Sequence, residues 1–151
     1  MNNKLLPAML ALSLTTTAVL AADHDDPKKG AIKYRKAVMT LVGANFKPMG
    51  AMMKGDIPFD AAVFARRAQD LAAVSHVDVL RGFPEDSEGD GSKAKGEIWL
   101  DWSDFKAKLG DMQKATTTLA QVAQGGDLAA IKEQFGITAK TCKSCHKQYK
   151  E

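Results

Sequence analysis

The stretch GEIWLDWSDFKAKLGDMQKATTTLAQVAQGG, residues 96–126, carries the reading of the fold. Ile98, Trp102, Phe105, Leu109, Met112, Thr116, Leu119 and Ala123 recur at alternating intervals of four and three. Side chains at that spacing share one face of a helix, and a stripe of this kind is the seam of an antiparallel bundle. Gly125-Gly126 closes the segment. No run of alternating apolar residues elsewhere is long enough for a sheet.

Upstream, Asp25-Asp26-Pro27 reads as a helix start, because acidic residues favour the positive end of the helix dipole and proline fits the first turn. Ile32, Met39, Val42, Phe46, Met49 and Met53 keep helical spacing from there. Pro48 removes one backbone bond and predicts a kink. The helix is expected to stop near Gly55, with Gly55-Asp56-Ile57-Pro58 as a turn. Asp60 then caps a second helix carrying Phe64, Ala68, Leu71, Val74 and Val77. Residues 82–96, GFPEDSEGDGSKAKG, form the one long loop. Beyond the seam helix, Asp127 is expected to cap a short helix to Phe135, Gly136 to break the chain, and Thr138 to open a last helix. Four main helices with short connections predict an all-α, up-down-up-down antiparallel four-helix bundle.

The length of 151 residues allows one domain. Residues 1–21, MNNKLLPAMLALSLTTTAVLA, have a basic start at Lys4 and a largely apolar run, which reads as a secretory signal peptide cut after Ala21. Pro7 and the Ser/Thr content argue against a membrane anchor. The mature domain is then 22–151, exported to the periplasm and without a membrane span. Losing Lys4 takes the formal charge from +3 to +2. That mild balance, with no basic stretch interleaved with aromatics, argues against nucleic acid.

The chain ends TCKSCHKQYKE, residues 141–151, which holds its only cysteines, Cys142 and Cys145. In an exported protein they could pair, but so short a loop would restrict the unfolded chain very little. On a helix, two cysteines three apart present their sulfurs side by side. With His146 next to them they match the CxxCH signature of c-type haem attachment, two thioethers and one axial imidazole. A thioredoxin-like CxxC needs a strand-to-helix setting that is absent. A zinc site from these residues lacks an obvious fourth ligand.

With so few residues after His146, a sixth iron ligand must come from upstream or be missing. The candidates are Met39, Met49, Met52, Met53, Met112, His24 and His76. Met39 stands out through its neighbour one turn earlier. Arg35 is the only charge in the stripe Ile32, Arg35, Met39, Val42, Phe46. A core-facing guanidinium needs a partner, and haem brings two propionates.

YRKAVM at 34–39, GDIPFDAA at 55–62, GEIWLD at 96–101 and CKSCHKQY at 142–149 together resemble the cytochrome c′ family, haem-bearing four-helix bundles. The resemblance spans the mature chain. It implies one haem c on Cys142 and Cys145, with His146 as proximal ligand. Arg35 and Lys36, the latter where Gln is common, would lie near the propionates. Met39 falls where the family's distal residue faces the iron. Lys150 stands on the proximal side where arginine is common. The family is often dimeric through its first helix, and Ala31, Tyr34, Val38 and Leu41 form a second apolar set on that helix.

These readings lead to a cytochrome with pentacoordinate, high-spin iron that binds NO or CO and exchanges electrons with a redox partner protein. No arrangement of acid, base or nucleophile suggests an enzyme. A low-spin carrier with both His146 and Met39 on iron is the alternative. A structural or metal-binding bundle without haem is a third reading.

Overall fold

The computed structural model describes residues 26–89 and 91–151. Helix α1 spans Pro27–Lys54 and α2 Ala61–Ser75; a 3-10 turn at Val79–Gly82 leads into the long loop. A single turn α3 (Glu97–Leu100) precedes α4 (Trp102–Gln124) and α5 (Leu128–Tyr149). The described residues are all helix and loop, and α1, α2, α4 and α5 form the antiparallel four-helix bundle.

The helix starts follow the capping chemistry of the sequence. Asp26 accepts from Lys28 N ahead of Pro27, Asp60 from Val63 N, and Asp127 from Ala129 N. Gly55 ends α1 in the left-handed conformation at φ 81°, returning its N–H to the last carbonyls. Pro48 sits inside α1, which runs on past it. The carbonyl that proline leaves unbonded, Ala44 O, accepts instead from Arg67 Nη1 at 3.3 Å.

Three expectations change. The seam helix is two elements, because Asp101 leaves helical geometry and caps α4 through Asp104 N. Gly136 breaks nothing: α5 is continuous across it, with Ile131 and Thr138 buried on either side. Helix α2 ends at Ser75, so Val77 lies beyond it, exposed. The proposed signal peptide, residues 1–21, and His24 lie outside the described residues.

Two apolar clusters divide the bundle lengthwise. The first joins Met49, Met52, Phe64, Ala68, Leu71, Leu119, Ala123 and Ile131, with Phe46 stacked on Phe135 at 4.5 Å. Each large, fully buried side chain there contributes about 1.5–3 kcal/mol relative to exposure, so this end has a core of its own. Hydroxyls tie the helices across the middle: Ser75 Oγ meets Thr116 Oγ1 at 2.8 Å, and Thr138 Oγ1 donates to Ala115 O at 3.3 Å. Close backbone packing runs α1 on α2, α2 on α4 and α4 on α5, and the α1–α5 side is loosely packed. The second cluster lies at the other end, and Cys145 of the sequence motif packs against it.

Candidate haem site

Val38, Val79, Ile98, Phe105, Leu109, Met112 and Tyr149 form the second cluster, with Met39 and Cys145 packed against it. Helix α5 carries Cys142 and Cys145 three residues apart, so both thiols leave the helix on one side. Both are free and half-buried. Burial pushes both thiols up, and at Cys145 nearby Lys108 pulls the other way. His146 is exposed; desolvation first, and the charge of Lys150 second, lower its imidazole below the ordinary value.

Of the six candidate sixth ligands among the described residues, the cluster keeps two. Met39 and Met112 belong to it, whereas Met49, Met52 and Met53 pack in the opposite cluster. His76 ends α2, exposed, with Nε2 at 3.0 Å from Thr117 Oγ1. That bond accounts for it.

Arg35 is 3 % exposed. Its Nη1 donates to Gly82 O at 2.8 Å and Ser87 Oγ at 2.7 Å; its Nη2 donates to Ser87 O and to Ser92 Oγ. The guanidinium also lies 4.8 Å from the Phe83 ring centre. All four terminal N–H groups are thus engaged by the loop, leaving Nε–H alone for a carboxylate. Burial lowers its pKa, and the nearby charge of Glu88 opposes that shift. Lys36 reaches the same loop, with Nζ 3.3 Å from Gly91 O. Lys150 is exposed and pairs through its backbone with Ala94.

Sequence reading missed the aromatic wall. Phe105 meets Phe83 edge-on at 4.9 Å, Tyr149 edge-on at 5.3 Å, and stacks with Trp102 at 5.5 Å. Tyr149 is buried, and its hydroxyl donates to Asp104 Oδ2 at 2.6 Å. Burial and then that bond hold the phenol protonated far into the alkaline range. Its place four residues after Cys145, on the same face of α5, was the available signal.

The donor set fits a haem group attached through sulfur. Two free thiols share a helix face, one of them borders an aromatic and aliphatic cluster, and an imidazole follows directly. Among the described residues, no group of three or more His, Cys, Asp or Glu side chains could hold a bare metal ion.

Fold and site define a helical-bundle protein of the c-type haem class. Residues 30–150 match the family model described as Cytochrome C'. Cytochrome c' of Halomonas halodenitrificans is 37% identical over 126 residues, covering 80% of this chain and 95% of that protein. The solved cytochrome c prime from Shewanella frigidimarina superposes with a TM-score of 0.80 at 42% identity, covering 84% of this chain and 98% of that one. A nitric oxide complex of a mutant cytochrome c prime from Alcaligenes xylosoxidans gives 0.74 at 32% identity, covering 82% and 95%. The chain belongs to the cytochrome c′ family. Proteins of this family bind a single, covalently attached haem c, and this chain has the two cysteines.

Proposed function

We propose that the chain is an exported, periplasmic cytochrome whose haem is held by thioethers to Cys142 and Cys145, with His146 as axial ligand. The bound haem would supply an iron open to NO or CO and able to pass between two oxidation states. The observation that carries this reading is the shared cluster: Met39 on α1 and Cys145 on α5 border the same apolar residues. An apolar wall of this kind admits a small neutral gas and disfavours anions, whose desolvation is expensive. Met39 lines the side of that wall reached from α1. His146 stands at the exposed edge of α5, where desolvation first and the charge of Lys150 second disfavour its protonated form. The protein acts by binding and electron exchange, without turning over a substrate.

A redox partner would meet Lys143 and Lys147, exposed one turn apart on the same face of α5 beside His146. A homodimer through α1 would cover Leu41, which is 53% exposed, whereas Val38 and Tyr34 pack inward. The thioether of Met39 in the cluster favours one second reading, a closed low-spin site with Met39 on iron. Ferrous spectra with and without CO decide between them. A broad high-spin Soret band that moves sharply with CO is expected. Sharp α and β bands indifferent to CO would replace the open-site reading with the carrier, and no Soret band would overturn both.

A further inference from the structure

The loosely packed α1–α5 side is tied at two places. At one end Phe46 of α1 stacks on Phe135 of α5. At the other, the tie runs through residues 82–95. Arg35 of α1 donates to Ser92 Oγ at 2.6 Å, and the same oxygen accepts Ala94 N at 3.1 Å. One residue either side of Ala94, the loop pairs with the end of α5: Lys95 N donates to Tyr149 O at 3.1 Å, and Glu151 N to Lys93 O at 3.0 Å. Ala94 and Lys150 face each other as an antiparallel bridge. Ser87 and Gly82 hold the near half of the loop on the same guanidinium.

We propose that Arg35 is a positioning residue: through Ser92 and the 93–95 pairing it sets the separation between Met39, one turn on in α1, and His146, one turn before the paired end of α5. The inference rests on the functional reading above. The physical case is one of stiffness. A buried guanidinium with every terminal N–H engaged has one available geometry, and its bonds are charge-assisted. The backbone pairing then transmits that geometry to α5 at the end of the bundle opposite the Phe46–Phe135 stack. Ser92 is the node, because its Oγ accepts both from Arg35 and from Ala94 N at the bridge.

The test is Ser92→Ala in the haem-loaded protein, with Ser103→Ala, an exposed serine on α4, as control. Amide exchange at Lys95 and Glu151 and CO association to the ferrous protein are read beside thermal stability. Losing a bond to a charged donor should speed exchange at both amides by roughly tenfold. It should also change the CO association rate several-fold, with covalent haem content unchanged. Arg35→Lys, which keeps the charge and loses the fork, should move the same two readouts in the same direction. A fall in melting temperature with the CO rate unaltered would make the tie merely structural and overturn the inference. So would an altered CO rate with both amides still protected. A wild-type chain without covalent haem would instead defeat the functional reading, which is why its spectrum is recorded first.

Discussion

Replacing Gly82 with alanine asks how tightly the loop is seated on α1. A Cβ at this position would stand 2.8 Å from Arg35 Cβ, 3.1 Å from Tyr34 Cδ1 and 3.2 Å from Arg35 N. Carbon atoms rest at about 3.5–4.0 Å, so the deficit against Arg35 Cβ is close to an ångström. That atom is anchored to the α1 backbone and cannot swing aside. The segment must therefore lift, which stretches the 2.8 Å bond from Arg35 to Gly82 O. Overpacking costs about 1–3 kcal/mol, and weakening the bond adds about 1 kcal/mol. Alanine returns about 0.4–1 kcal/mol by restricting the unfolded chain, because Gly82 does not use a positive φ. The net is a loss of about 2 kcal/mol, roughly a thirtyfold fall in the folded-to-unfolded ratio. Urea unfolding followed by helical circular dichroism measures it. Gly136→Ala is the matched opposite: it lies inside α5 with nothing within 4 Å of the added Cβ, so about 0.5–1 kcal/mol of stability is expected. A Gly82→Ala chain as stable as the wild type would refute the seating of Gly82 on Arg35.

Met39→Ala should cost roughly 1–2 kcal/mol for a partly buried side chain, keep the ferrous spectrum high-spin and raise the CO association rate; stopped-flow absorbance checks both spectral points. Tyr149 gives a pH dependence. Its folded pKa is raised above the ordinary 10.0 by burial and by Asp104, so the folded chain keeps a proton that the unfolded chain releases. The contribution of Tyr149 to stability should be fully present below about pH 10 and be lost as pH rises further; in Tyr149→Phe, urea midpoints should lose that part of the alkaline decline. Asp60→Ala removes the bond to Val63 N at 2.9 Å and should lower stability by about 1 kcal/mol without touching the spectrum.

The helix ends were legible where a short polar side chain or a glycine states its own geometry. Asp60 and Gly55 are such cases, and both cap as their chemistry requires. Gly136 misled because an isolated glycine costs only about 1 kcal/mol in a helix, less than the packing of Ile131, Phe135 and Thr138 around it supplies. Asp101 was hidden for the converse reason: the apolar spacing continues across it, while its backbone leaves the helix to cap α4. At the site, helical spacing places the CxxCH motif and Met39 each on a helix face, and Cys145 and Met39 border one cluster. The charge of Arg35 announced a need for a partner, and the sequence reading named the haem propionates. The acceptors its terminal N–H groups meet in the folded chain, on Gly82, Ser87 and Ser92, sit 47, 52 and 57 residues away in a loop without periodicity. Only the folded chain brings them together.

The most direct measurement is the intact mass of the purified protein under denaturing conditions, followed by peptide mapping. The chain should be heavier than its polypeptide by one haem, with the addition on the peptide holding Cys142 and Cys145 and absent from the Cys142→Ala/Cys145→Ala double variant. A bare polypeptide mass, or a haem that acid extraction removes, would contradict covalent attachment at this motif.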